Sequence, residues 1–160
     1  MIKNQILQPI KDPEIRQDIF ARMVDILGKE HTGPTISNPL DFIEIGEKGL
    51  PAVILNSIMS RFNLTTNEMA DLLGVAFNTL YRWLRINKIL DQSHSVKFLE
   101  LSNLFLYGEE VFGSAENFTK WIKRPNTALG GMEPAKLMGM PEGLSKVKDL
   151  LVRIEYGVYS

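Results

Sequence analysis

Cysteine is absent from this sequence, and histidine occurs at only two positions. The lack of cysteine excludes disulfide bonds, thiolate zinc sites and cysteine nucleophiles, and it fits a reducing compartment. Neither His31 nor His94 has a second ligand at metal-binding spacing, so both histidines are expected to be solvated and no metal site is expected. Two histidines also give no convincing Ser-His-Asp triad.

Signatures of other catalytic and cofactor sites are equally scarce. Glu109 and Glu110 are neighbours in sequence and do not share a helix face, so they are interpreted as a solvated pair rather than an acid–base dyad. Gly130 and Gly131 lack the lysine and hydroxyl residue of a phosphate-binding loop and are interpreted as a turn. We therefore expect no enzyme and no cofactor.

Long apolar runs and excess charge are also missing. The longest stretch without a charged residue covers residues 49–60, which is short of the ~18 apolar residues of a membrane span. The first residues have no apolar core of a secretory signal, so a cytoplasmic protein without a membrane partner is expected. The net charge is -1, and any contact with nucleic acid must therefore come from a local patch.

The sequence has the composition of a folded protein. Its 160 residues are 44% hydrophobic and 23% charged, which indicates one domain or two small ones. Helical spacing recurs and no stretch keeps an alternating pattern, so an all-α fold is predicted. The predicted parts are an N-terminal helical segment and linker over residues 1–37, a helix-turn-helix domain over 38–103 and a small helical domain over 104–160.

Proline, glycine and capping residues predict where the helices begin and end. The first helix is expected from Pro13 to Gly28, with a linker over residues 29–38. The helix after Asn38 is expected to use Leu40, Ile43 and Ile45 as its apolar positions. Further helices are predicted to start near residues 51, 67, 77, 95, 115, 134 and 141, and the last is expected to end at Gly157.

Residues 66–85 have the spacing of a helix-turn-helix. Two helices that cross steeply need a small residue where they approach and a glycine in the turn, and Ala70 and Gly74 supply them. Gly74 is expected to adopt a positive φ that ends the first helix. The positions expected to be buried between the helices are Met69, Leu73, Val75, Leu80 and Trp83.

The second helix of this unit carries the candidate DNA-binding residues. Between Ala76 and Leu90 there are three positive charges and no negative one. In a DNA complex such a face lies in the major groove, where Arg reads guanine, Asn reads adenine and cations neutralise phosphates. The predicted DNA-binding residues are Phe77, Asn78, Tyr81, Arg82, Arg85 and Lys88. The alternatives are a helical hairpin that serves only the core, or an interface formed by Phe77 and Tyr81.

The C-terminal half contains motifs with a clear family resemblance. Residues 110–113 read EVFG, residues 124–131 read RPNTALGG, and residues 149–160 read DLLVRIEYGVYS. With Trp121, Ile122, Pro134 and Leu137 between them, these motifs resemble the toxin-binding domain of Xre-type antitoxins of the MbcA/ParS/Xre family, partners of RES-domain toxins. The resemblance extends back through the helix-turn-helix to about Asn38.

The resemblance implies a function for the chain. RES toxins consume NAD, and the antitoxins of this family obstruct the toxin's NAD pocket with their C-terminal domain. They commonly bind their own promoter, and they form homodimers and larger toxin–antitoxin complexes. Carried onto this sequence, the blocking residues are Arg153, Glu155, Tyr156, Gly157, Val158, Tyr159 and Ser160, and the toxin-interface loop includes Pro125, Asn126, Leu129, Gly130 and Gly131.

Large rigid tyrosine surfaces and the Glu155 carboxylate are suited to this task, because the carboxylate could pair with cations that otherwise hold the NAD pyrophosphate. An alternative is that Tyr156 and Tyr159 fold back on the chain's own core. Two other functions also stay open. One is a stand-alone helix-turn-helix regulator, and the other is an oligomerising adaptor that does not bind DNA.

Overall fold

In the computed structural model, residues 13–157 are described, with side chains from Ile19 onward. Ten α-helices and two short 3-10 turns make up this part of the chain, and no strand occurs within it, so the all-α prediction is confirmed. The helices are α1 (Pro13–Leu27), α2 (Lys29–Thr32), α3 (Asp41–Lys48), α4 (Leu55–Arg61), α5 (Thr66–Leu73), α6 (Phe77–Ile86), α7 (Gln92–Phe112), α8 (Ala115–Ile122), α9 (Pro134–Leu137) and α10 (Pro141–Glu155).

Most predicted helix boundaries agree with the structure to within three residues, and two expectations were wrong. The predicted linker contains the short helix α2. The apolar face of α3 was also misjudged, because Leu40 and Ile43 are exposed while Phe42 and Ile45 are buried. Helix α3 packs on α7 along the side where Gly46 lies against Val96, and this contact decides which residues face inward.

Helix α7 is the axis of the fold. It has 21 residues and packs against α1, α3, α5, α8 and α10. Gly108 lets α7 and α8 approach closely, because a Cβ atom at this position would overlap the ring of Phe118. Phe118 in turn packs edge-on against Phe105 and Phe62, with ring centroids 5.1 and 6.1 Å away. The predicted domain boundary after residue 103 lies inside α7, so both predicted domains share this helix.

A seam of close contacts joins the α5–α6 turn to the segment between α9 and α10. A Cβ atom on Gly139 would overlap the carbonyl oxygen of Asp71, and one on Gly74 would lie 3.0 Å from the carbonyl oxygen of Gly139. Lys123 forms an ion pair of 2.8 Å with Glu68 beside this seam. The Nζ of Lys97 donates a 2.6 Å hydrogen bond to the carbonyl of Met138, and burial lowers the pKa of Lys97.

An ion cluster fastens α1 and α4 to the far end of α7. Arg61 donates two hydrogen bonds, of 2.8 and 2.9 Å, to the Glu109 carboxylate, and Arg22 bridges Glu109 and Glu110. Glu109 and Glu110 therefore hold helices together, a structural role that the sequence interpretation as a solvated pair missed. Within residues 13–157 no helix is long and apolar enough to cross a bilayer.

Candidate functional site

The α5–α6 unit is built from strong local signals. Thr65 caps α5: the Glu68 N–H donates to Thr65 Oγ1 at 3.1 Å, and the Thr65 N–H donates to the Glu68 carboxylate at 2.8 Å. Gly74 has φ 71°, a left-handed conformation that ends α5 as predicted. Ala70 is fully buried where the two helices meet. This geometry is consistent with a helix-turn-helix.

Helix α6 has one buried and one exposed side. Leu80 and Trp83 face the core, whereas all six predicted DNA-binding residues are exposed. We call these six, Phe77, Asn78, Tyr81, Arg82, Arg85 and Lys88, the α6 face. The rings of Phe77 and Tyr81 stack with centroids 6.0 Å apart. Lys88 lies 5.6 Å from the Trp83 ring centroid, so its ammonium group is held beside the same helix.

An exposed aliphatic patch, which sequence reasoning missed, adjoins the C-terminal end of α6. Val53, Ile86 and Ile89 are 46%, 64% and 58% exposed. The backbone of residues 50–53 runs beside residues 87–90, and the Val53 N–H donates to Asn87 Oδ1 at 3.0 Å. We call these three side chains the aliphatic patch. Its sequence signal was weak because the isoleucines also fit a helical pattern.

The first residue of α7 is set by a charged cap close to this patch. Asp91 accepts a hydrogen bond from the backbone N–H of His94 at 2.8 Å, and His94 Nδ1 lies 2.9 Å from the same carboxylate. The backbone N–H lowers the pKa of Asp91, with help from the His94 side chain and the charge of Lys88, while desolvation opposes the shift. His94 also packs edge-on against Trp83 at 5.0 Å.

The predicted toxin-interface loop is organised by its asparagine. The carbonyl of Asn126 accepts from the N–H groups of Leu129 and Gly131 at 3.0 and 2.9 Å, and its side chain accepts from the Ala128 N–H at 2.9 Å. Gly130 and Gly131 have φ 65° and 81°, and a Cβ atom on either glycine would meet no other atom within 4 Å. Pro125 is exposed too, so the loop presents a preformed surface.

The end of α10 exposes some of the predicted blocking residues and buries one. Arg153, Tyr156 and Gly157 are exposed, with Tyr156 at 43% and Gly157 at φ 73°. Glu155 is only 1% exposed, which corrects the expectation of a carboxylate offered to a partner: its position in the last turn points it into the core. Val158, Tyr159 and Ser160 lie outside the described residues. We call Arg153, Tyr156 and Gly157 the C-terminal surface.

The two histidines lie in separate places, each beside a carboxylate. His31 belongs to α2 and lies 3.7 Å from Glu30, and His94 is held by Asp91 and Trp83. Among residues 13–157, no group of three or more His, Asp and Glu side chains is arranged around a common point that could hold an ion.

Comparison with known proteins assigns the C-terminal region to a family. The model of the antitoxin Xre/MbcA/ParS C-terminal toxin-binding domain matches residues 108–157. The chain is 26% identical over 133 residues to a Prs ADP-ribosylating antitoxin of Sphingobium sp. (strain YBL2), covering 78% of this chain and 84% of the relative.

Two further relatives are each named antitoxin Xre. The one from Photorhabdus laumondii subsp. laumondii is 22% identical and the match covers 71% of this chain and 77% of the relative. The one from Pseudomonas putida is 23% identical, with 68% and 67% covered. The match to the toxin-binding domain begins at Gly108, the residue that allows α7 and α8 to touch, and ends at Gly157.

Proposed function

Because the chain belongs to the Xre-type antitoxins of the MbcA/ParS family, we propose that it neutralises a RES-type toxin by blocking the toxin's NAD pocket. The observation that carries this proposal is the end of the toxin-binding domain, where α10 stops and Tyr156 is exposed beside Gly157. The specific toxin class and the pocket follow from the resemblance of the C-terminal motifs.

The C-terminal surface has the physical properties that this role requires. A helix that ends at a left-handed glycine can turn the following residues away from its own axis. Tyr156 already offers a large rigid ring to solvent, and tyrosine is a frequent anchor of protein interfaces because it loses little conformational entropy when it is fixed. In the proposed complex, residues 158–160, which include a second tyrosine, extend this contact into the NAD pocket of the toxin.

Arg153 and the loop complete the proposed contact. Arg153 lies one turn before Tyr156 on α10 and is exposed, so it can pair with carboxylates around the pocket entrance. The loop at residues 125–131 is held by its own hydrogen bonds and is largely exposed, and it provides a second contact region. In this mechanism Glu155 remains buried in the chain's own core. It does not contact the cations that bind NAD in the toxin.

The test measures NAD hydrolysis by the purified toxin as this chain is added. Deletion of residues 158–160 and the substitution Tyr156→Ala should each raise the amount of chain needed for half-inhibition, by about 30-fold for a tyrosine anchor worth ~2 kcal/mol. Tyr81→Ala is the matched control, because it removes another exposed tyrosine on α6 and should leave inhibition unchanged. Full inhibition by the deletion variant, with helical content retained, would contradict the blocking mechanism.

We also propose that the chain represses its own promoter through the α6 face. Support comes from Arg82 and Arg85, which are exposed on a helix without an acidic residue, and from the exposed Lys88 just after its end. Such a cluster neutralises phosphates, and its contribution to affinity falls as salt rises.

Self-association into a homodimer, and from there into a larger complex with the toxin, is the third part of the proposal. The aliphatic patch supports it, because a partner that covers large exposed aliphatic side chains removes apolar surface from water. Two copies also double the cations available to DNA and give two half-sites one helical turn apart. Sedimentation of the full chain tests this part, and a monomer would contradict it.

A further inference from the structure

Two aromatic rings lie on the α6 face, although phosphate binding requires only cationic and hydrogen-bonding groups. Phe77 is 44% and Tyr81 is 51% exposed, one helical turn apart and stacked at an interplanar angle of 23°. Trp83 and Leu80 already fill the core side of α6, so the exposed rings contribute little to folding. Leaving this much apolar surface in water is unfavourable unless a ligand covers it.

The charge around the rings indicates what that ligand is. Arg82 and Arg85 are exposed on α6, Lys88 is exposed two residues after its end, and no acidic residue lies between Ala76 and Leu90. An apolar strip beside a purely cationic one fits a polyanion that also carries small apolar groups. The major groove of DNA has this character, because each thymine presents a C5-methyl group among the polar base edges.

The position of the rings along α6 fits the same ligand. Phe77 is the first residue of α6 and follows the turn at Gly74, and in a helix-turn-helix the N-terminal residues of the second helix contact base edges. Asn78 and Arg82 form a parallel row one residue further on. Asn pairs with adenine and Arg with guanine, so the polar row reads bases beside the methyl groups.

We propose that Phe77 and Tyr81 form a strip that packs on thymine C5-methyl groups, so that the operator carries thymines opposite the strip. The adenine that Asn78 pairs with lies next to them. This inference rests on the promoter binding proposed above and adds which bases the helix selects. Phe77 and Tyr81 are thus specificity-determining residues, whereas Arg85 and Lys88 bind the phosphates of any sequence.

The test replaces thymine by deoxyuridine, which removes only the methyl group and keeps base pairing. The promoter fragment that the full chain protects, alone or bound to its toxin, is synthesised with either base at the protected positions. Binding is then measured by fluorescence anisotropy at one salt concentration. Each lost methyl should weaken binding by wild-type chain about fourfold.

Variants test whether Phe77 and Tyr81 are the residues that contact the methyl groups. The double variant Phe77→Ala with Tyr81→Ala should bind the thymine and deoxyuridine duplexes equally, while Phe77→Leu with Tyr81→Leu, which stays apolar, should keep part of the discrimination. Leu40→Ala is the matched control, since it truncates another exposed apolar side chain away from α6 and should leave the fourfold difference intact.

The outcomes separate this inference from promoter binding itself. Specific binding with no difference between the two duplexes overturns the methyl contact and leaves repression standing. A difference that persists in the double variant of Phe77 and Tyr81 assigns the methyl contact to other residues and also overturns the inference. If neither the chain nor its toxin complex retains the promoter, both this inference and the proposed repression fail, whereas toxin neutralisation is untouched.

Discussion

The α6 face and the C-terminal surface are both formed by a helix with one exposed side, but they differ in how the core constrains them. Helix α6 is anchored by the fully buried Leu80 and the nearly buried Trp83, and the five candidate residues on it are all exposed. At the end of α10 the exposed Arg153 and Tyr156 flank the buried Glu155. Adjacent residues in the last turn thus point in different directions.

A functional motif therefore transfers differently onto the two helices. On α6 the helical period sorted exposed from buried residues, and the chemistry of the exposed residues agreed with it. On α10 the same period places Glu155 in one buried row with Val147 and Leu151, although its charge suggested exposure. Because the two surfaces lie on different helices, the proposed DNA-binding role of α6 and the proposed toxin-blocking role of α10 can be separated by mutation.

The largest expected effect separates the two surfaces directly. Arg82→Ala combined with Arg85→Ala should weaken promoter binding on the order of a hundredfold and reduce its salt dependence, because two cations near the DNA are lost. Inhibition of the toxin should stay unchanged, since both residues lie on α6. Binding titrations at several salt concentrations, beside an NAD hydrolysis assay, measure both. Unaltered promoter affinity would place the DNA contact elsewhere.

A stability effect of about 2 kcal/mol is expected at the close approach of α7 and α8, where the toxin-binding domain begins. Gly108→Ala places a methyl group on the Phe118 ring, and overpacking of this kind costs about 1–3 kcal/mol. Urea unfolding measures the change in the free energy of unfolding.

A double-mutant cycle controls that measurement. Phe118→Leu shortens the ring side chain that the new methyl meets, so the pair Gly108→Ala and Phe118→Leu should lose less than the sum of the single losses. Strict additivity would show that the two side chains do not compete for space.

The smallest effect concerns pH at the start of α7, next to the α6 face. The folded-state pKa of Asp91 is lowered, so its carboxylate stabilises the fold above the unfolded-state pKa, and this contribution is lost as the pH falls through the folded-state pKa. Asp91→Asn keeps the cap but not the charge. Wild type should be more stable by about 1 kcal/mol or less near neutral pH, and the gap should close in acid. An equal gap at both pH values would contradict the assignment.

Much of the fold could be predicted because its signals are local. The turn at Gly74 and the prolines at the starts of α9 and α10 act over a few residues, and the structure has them where the sequence indicated. The outward direction of Arg82 and Arg85 also followed from spacing. These features depend on neighbours within one or two helical turns, which a linear sequence displays.

Other features depended on contacts between distant segments. The expected apolar positions of α3 were Leu40, Ile43 and Ile45, but the contact of Gly46 with Val96 leaves Leu40 and Ile43 exposed and buries Phe42 beside Ile45. The ion cluster of Glu109 with Arg22 and Arg61 has the same origin. The residues that flank a position in the sequence do not indicate which distant helix will pack against it.

Capping, helical period and residue chemistry act locally, so the helices, their ends, the cationic residues of α6 and the family motifs could be identified from the sequence. Packing between distant segments set which side chains of α3 are buried and brought residues 50–53 beside residues 87–90. The reason is physical: burial is a property of the space between elements, and that space exists only after the helices have packed.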